Sequence, residues 1–424
     1  MKLLALTTFF VFVVVGSAWT QALDILPTRQ IVVEPTITPP ATCTLTNKLH
    51  EQDDRFNDFN NLYVASRETV WSEKRANKDQ IFQGPDREIV LKTLDLVNCE
   101  ISFVTVRQHG TMLVSPAGWD IRMLERPNGI VFNAWNTAYQ IVSPGNHIVL
   151  KNKFPKSKSK KVREQVKNKN GKVIRTAYVN EYSLDEYIIY SPYSPDLRQP
   201  LLVEAGRNYI ASVSAEASKY LRERGVVSKT QPGVLIADLP QLPQEFFERL
   251  PLLEQTDLFE FNLDPQESID RVYVIVGANE RDAYNATCSS AGACGLVQYT
   301  KTTWNNMRKA YKSAKLDEFE IGVRDHVQSM MAAMLLYDDN LANLKRRYGA
   351  RILSDPHVEE YLTAAYNGAP LWVTNSITAS LRAKIVDWMD SLSPTRGGLR
   401  KETRGYMVKL REMHRLGVPL KTGE

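Results

Sequence analysis

The sequence predicts an α+β chain of several domains, a β-rich N-terminal domain followed by an all-α C-terminal one. Three observations carry that expectation. At 424 residues the chain exceeds the usual size of one domain, and its 43% hydrophobic and 24% charged residues are ordinary for a globular protein. From Arg87 to about Tyr190, "REIVLKTL", "CEISFVTV", "GIVFNAW" and "AYVNEYSLDEYIIY" are rich in β-branched and aromatic residues and are separated by Gly, Pro and Asn. Beyond Pro200 the apolar residues recur at helical spacing instead.

Taken in order, residues 1–22 read as a secretory signal: Lys2, an apolar run from Leu3 to Val15, then the small residues of "GSAWTQA", with cleavage after Ala18 or Ala22. A run of about 13 residues falls short of the roughly 20 that span a bilayer, so no transmembrane helix is expected after cleavage. Residues 23–86 form a Pro- and Thr-rich tether, "PTRQIVVEPTITPPATC", and the start of the N-terminal domain. Residues 87–200 make a β-rich domain to which the sequence assigns no role. Residues 201–263 form a helical connecting region, with "AGRNYIASVSAEASKYLRERG" ending at Gly225 as C-cap and a proline-punctuated stretch from Pro232 to Pro251. Residues 264–424 form the helical domain.

Export places the four cysteines where disulfides persist, and four thiols allow three pairings. Cys43 with Cys99 and Cys288 with Cys294 keep each bridge local. There is no CxxC, no HExxH and no cluster among the six histidines, so neither metal nor cofactor is expected. The net charge of +5 is mild, yet eleven Lys or Arg against one Glu fall between Lys151 and Arg175. Such a run could meet an acidic polymer, a phosphate-rich surface or nucleic acid. The alternation around Asn170-Gly171 favours a solvated hairpin, leaving an acidic envelope polymer as the partner to consider and nucleic acid as one not expected.

In the helical domain, Asp264 and Pro265 read as N-cap and first position, with Glu267 completing a capping box. Ile269, Val272, Tyr273 and Val276 share one face, and Glu280 falls four residues later on that face, a carboxylate where a core residue is expected. A second helix is expected over His326 to Tyr348, with Met330, Met331 and Met334 as core filling. A third runs from Pro356 to Tyr366 with Asp355 as N-cap, so Tyr366 and Asn367 crowd its end.

Three separated motifs carry a resemblance. The segment from Glu280 through Ser289, Gly292, Ala293, Gly295, Leu296 and Gln298 resembles the opening motif of the soluble lytic transglycosylases, "AAYNGAP" at 364–370 their second, and "ETRGYMVKL" at 402–410 their third. The match covers roughly 264–415. It implies a lysozyme-like domain that cleaves the β-1,4 bond between N-acetylmuramic acid and N-acetylglucosamine in peptidoglycan. By that resemblance Glu280 protonates the glycosidic oxygen and then takes the proton of the C6 hydroxyl, leaving a 1,6-anhydromuramoyl end without water. Ser289 corresponds to the serine beside the acid, Gln298 to the glutamine lining the sugar cleft, and Tyr366 to the tyrosine whose hydroxyl contacts the acid, with Asn367 its neighbour. Glu402 and Tyr406 fall either to substrate contact or to packing of the last helix.

The chain departs from the family at Arg281, where Ser is usual, at Val297, where Met is frequent, and at "AYNAT", which replaces Asn-Pro. A lysozyme-type hydrolase drawing a second acid from Asp325 or Asp339 is the runner-up, and a catalytically silent glycan-binding envelope protein the third reading. The expected partner is the peptidoglycan strand, and the expected location periplasmic or extracellular, against the wall of a bacterium.

Overall fold

The computed structural model describes residues 43–75, 78–110, 112–126, 129–130, 135–385 and 387–419. The signal sequence and the proline-rich tether lie outside the described residues. Helices and a mostly antiparallel sheet make up the chain, consistent with the α+β class.

The sheet has five strands. In spatial order these are Val173–Tyr190, His147–Lys167, Arg87–Asp95, Ile101–His109 and Met112–Val114, all antiparallel neighbours. The central strand Arg87–Asp95 is buried on both faces, so its apolar residues need not alternate. The basic run folds as the expected hairpin. His147–Lys167 pairs with Val173–Tyr190 around a turn in which Gly171 (φ 78°) donates to the Asn168 carbonyl.

Only the outer part of that hairpin is solvated. Lys151 and Lys153 are buried, Lys151 on Asp53 at 2.5 Å and Lys153 on the Phe56 carbonyl at 2.7 Å. Asp53 also takes the fully buried Lys92 at 2.6 Å. Although burial opposes ionisation of Asp53, its contacts with His50, Lys151 and Lys92 hold the carboxyl far below the usual range. Further out, Lys156 meets Glu186 at 2.6 Å and Arg67 meets Glu164 at 3.0 Å, so acids on neighbouring backbone offset part of the basic charge.

The change from strand to helix falls between Tyr190 and Pro200, where the helix Pro200–Glu223 begins. Gly225 closes its far end at φ 58°, as its position after the helical pattern requires. This helix packs against Pro265–Asn279 so closely that a side chain at Gly206 would strike the Tyr273 carbonyl, 1.9 Å from an ideal Cβ. Leu202, Val274 and Ala278 then meet Leu94, Ile148 and Leu150 of the sheet in one buried cluster, which fastens sheet to helices. Pro39–Glu424 form one compact unit by their contacts.

The helix His326–Tyr348 runs through the larger helical core, with Met330, Met331 and Met334 buried as expected of core filling. Around it lie Gln244–Gln255, Val358–Asn367 and Lys401–Arg415. Val358–Asn367 starts two residues later than its sequence suggests, because Asp355 receives the His357 amide at 2.9 Å and caps the turn before the helix. Disulfides join Cys43 to Cys99 and Cys288 to Cys294. Among the described residues no helix is long and apolar enough to cross a membrane.

Candidate active site

The helix Pro265–Asn279 begins as its sequence dictates. Asp264 accepts the Glu267 amide at 2.8 Å, although the reciprocal half of the box is missing: the Asp264 amide goes to the Glu260 carbonyl, and Glu267 takes the Tyr193 hydroxyl at 3.3 Å. Ile269, Val272, Tyr273 and Val276 are buried. Glu280 is not. The buried amide of Asn279 turns back to the Ile275 carbonyl at 2.8 Å and to Ser191, ending the helix one residue early, and Glu280 leaves it at φ 45°, exposed to solvent.

Glu280 is felt by Tyr209, a residue outside the three motifs. Its charge bears on Tyr209 together with Asp325 and Asp282. Tyr209 meets Nδ1 of the buried His326 at 3.0 Å, and Nε2 of that ring donates to the Ala283 carbonyl at 2.8 Å. Since a carbonyl can only accept, the proton sits on Nε2, and burial pushes the imidazole pKa down, so this ring is neutral. His326 thereby pins the backbone just beyond Glu280.

One motif residue, Tyr406, bonds a different carboxylate, Glu254. Glu254, the penultimate residue of Gln244–Gln255, follows Phe247, Leu250 and Pro251 at spacings of seven, four and three, on the buried stripe of that helix. Its carboxyl accepts the Tyr406 hydroxyl at 2.5 Å. Burial pushes this carboxyl up to about 7, assisted by the charge of Glu402 and resisted by Tyr406 and Lys409. Lys409 is buried too, with its own pKa lowered to about 8, and it donates to the carbonyls of Leu253 and Thr256 at the end of the same helix.

The glycine-rich loop is tied to the same place. Gln255, next to Glu254, donates its amide to the Gly295 and Leu296 carbonyls at 3.0 and 2.8 Å. Tyr366 donates to the Val297 carbonyl at 2.6 Å, where the resemblance implied contact with Glu280. The charge of Glu254 helps hold the Tyr366 hydroxyl in its proton-bearing form, after burial as the main cause. Gln298, at φ 48°, folds its side chain back onto the Gly295 carbonyl at 2.9 Å. Gly295 itself takes φ 78°, and an ideal Cβ there would lie 2.4 Å from the Val323 carbonyl.

Asn367 ends the Val358–Asn367 helix with its side-chain oxygen buried and without a hydrogen-bond partner. Behind it the second and third motifs touch at Gly368, whose missing Cβ would stand 2.8 Å from the Thr403 hydroxyl. Tyr299 and Tyr337 flank Tyr366 with ring centroids 5.9 Å away on either side. Glu402 is exposed at the start of Lys401–Arg415, one turn before the buried Tyr406.

Ser289 serves the loop. Its hydroxyl accepts the Ala293 amide at 3.1 Å, and its own amide donates to the Ala293 carbonyl at 2.8 Å, inside the ring closed by Cys288 and Cys294, whose Cα atoms are 4.1 Å apart. Asp325 and Asp339, the second acids considered for a hydrolase, are engaged elsewhere. Asp325 caps the helix His326–Tyr348, and Asp339 holds Lys229 at 2.6 Å.

Sequence reasoning missed Glu254, although a signal was present: a lone carboxylate at i+7 on an apolar stripe, in "FERLPLLE". A partly buried acid with its pKa raised to about 7 and bonded by a tyrosine hydroxyl suits proton delivery to a leaving group. No family model, curated protein or solved structure matches the chain.

Proposed function

We propose that this chain is an exported peptidoglycan lytic transglycosylase whose acid and base is the buried Glu254, with Glu280, the acid that the motif spacing implies, as the alternative. The observation that supports it most is that the three motifs close around the end of one helix: Tyr406 of "ETRGYMVKL" bonds the Glu254 carboxyl, Gln255 holds the glycine loop, and Tyr366 of "AAYNGAP" bonds that loop at Val297. On this reading the helical half is lysozyme-like. Its opening motif is split, the acid coming from Gln244–Gln255 and the loop from beyond two further helices, Leu258–Leu263 and Pro265–Asn279.

The chemistry follows from the protonation state. Burial keeps Glu254 protonated near neutral pH, so it can hand its proton to the glycosidic oxygen. The carboxylate left behind, steadied by the Tyr406 hydroxyl and the ammonium of Lys409, then accepts the proton of the muramoyl C6 hydroxyl as that oxygen closes on C1. One carboxyl serves both steps, and water is not consumed. The two disulfides fit an oxidising, extracytoplasmic compartment.

A hydrolytic reading survives on one observation, the charge of Glu402 reaching Glu254, which would supply the second carboxylate that a glycoside hydrolase needs. Mass spectrometry of muropeptides released from purified peptidoglycan separates the two. The transglycosylase leaves 1,6-anhydro ends and the hydrolase reducing ends. Release that survives Glu254→Gln and stops with Glu280→Gln would return the acid to Glu280.

A further inference from the structure

A cavity of about 390 Å³ opens where the β-rich half meets the helices, a size within the roughly 300–1,000 Å³ of small-molecule sites. One wall is β-rich: Trp135, standing edge-on to Tyr190 with centroids 4.4 Å apart, and Ala138. The other is the outer face of Pro265–Asn279, where Asp264, Glu267 and Arg271 recur at helical spacing. At one end the cavity reaches Thr287 and Gln255, the residue that follows the proposed acid.

The lining selects its ligand by chemistry. Glu260, Asp264 and Glu267 stand against the single cation Arg271, itself paired with Glu260, so an anionic ligand would meet net negative charge. Trp135, Tyr193 and Tyr284 line the cavity with aromatic surface, the Tyr193 ring itself lying under the Arg271 guanidinium at 5.1 Å, while carboxylates and amides offer hydrogen-bond acceptors beside it. A neutral ring with one apolar face and a rim of hydroxyl and amide groups satisfies all of these together. An N-acetylated hexosamine is such a ring.

We infer that the β-rich half supplies a glycan subsite, holding an N-acetylglucosaminyl unit of the same strand whose neighbouring bond lies at Glu254. The inference rests on the proposed function for the identity of the strand, and on the cavity alone for the class of ligand. It gives the β-rich half a role as the far wall of an extended cleft.

Isothermal titration of chitotetraose into the full chain carrying Glu254→Gln tests it, with a free peptidoglycan stem peptide titrated alongside. Trp135→Ala should weaken chitotetraose binding about tenfold or more, the size expected when an aromatic anchor is removed. Trp135→Phe should largely restore it, and Ala138→Phe, which fills the cavity, should also abolish it without touching Trp135. Equal affinity in the parent and in both Trp135→Ala and Ala138→Phe overturns the subsite, as does a parent chain that binds only the stem peptide or neither ligand. Anhydro-muropeptide release by the unmutated chain reports separately on the proposed function, so either conclusion can fail while the other stands.

Discussion

Glu254→Gln should make the protein inactive and, above neutral pH, more stable. The carboxyl's pKa is raised from 4.5 to about 7, mainly because burial disfavours its charged form. A group whose folded pKa is raised contributes stability that is fully present below its unfolded pKa and is lost as pH rises through the folded value. For Glu254 that window runs from about 4.5 to about 7. At 1.36 kcal/mol per unit, the shift sets a ceiling of roughly 3 kcal/mol on the penalty at pH 8. Lys409 reduces the gain, because its own buried charge, already lowered to about 8, loses the attraction of Glu254 when glutamine replaces it. A net gain of about 1–2 kcal/mol at pH 8, vanishing near pH 4.5, is the expected outcome. Glutamine keeps the size and still accepts the Tyr406 hydroxyl, so packing is conserved. Urea unfolding at pH 4.5, 6 and 8 reads the stability, and muropeptide release reads activity, which should fall by about two to four orders of magnitude. A variant that loses stability equally at every pH would refute the buried-acid argument, and one that keeps near-normal turnover would remove Glu254 from the mechanism.

Other perturbations test the frame around that acid. Arg249→Met should cost about 2–4 kcal/mol in denaturant unfolding, because it removes the two hydrogen bonds of 2.7 and 2.8 Å that hold the buried Glu359 carboxylate and leaves it His414 at 3.0 Å. Gly295→Ala should lower stability by about 2–4 kcal/mol, from strain at positive φ plus the clash with Val323, and should depress activity further by displacing the loop that Gln255 and Tyr366 tether. Mild reduction of Cys288–Cys294 should lower turnover more than melting temperature, since the ring is short and its entropic contribution small while the turn at Ser289 depends on it. Unchanged turnover in a sample shown by peptide mapping to be reduced would assign the bridge to stability alone.

Local signals were legible wherever chemistry and sequence separation agreed. The Asp264 cap, the Gly225 stop, the hairpin around Asn170-Gly171 and the helix His326–Tyr348 each depend on residues within a turn or two of one another, and each forms where its residues indicate. The buried lysines of the basic run were not legible, because Lys151 and Lys153 find their partners about a hundred positions earlier in the chain, at Asp53 and Phe56. The stripe that ends at Glu280 was read correctly up to its last member. What the pattern could not register is that Asn279, itself helical, has a side chain that bonds to Ser191 across the junction with the sheet and ends the helix there.

The choice between Glu254 and Glu280 turns on two different separations. A motif measured along the chain fixes the separation between acid and loop, whereas catalysis fixes only their separation in space. Glu280 meets the first requirement, nine positions before Ser289, and under the proposed function Glu254 would meet the second from thirty-five positions away, since 289 − 254 = 35. Between them, Leu258–Leu263 and Pro265–Asn279 leave the acid-bearing helix and return, and Gln255 brings the loop back to that helix's end. The detour has a structural use: its second helix carries the contacts to Pro200–Glu223 and to the sheet, and its outer face forms one wall of the 390 Å³ cavity. A fragment beginning at residue 258 would contain every motif residue read from the sequence, yet lack Glu254, Gln255 and the helix that Lys409 caps. Such a fragment should be inert on peptidoglycan, and circular dichroism should show it to be less helical than the same residues in the full chain, because Tyr273 and Gly277 lose the Pro200–Glu223 helix they pack against. Anhydro-muropeptide release by that fragment would sink the assignment of the acid to Glu254.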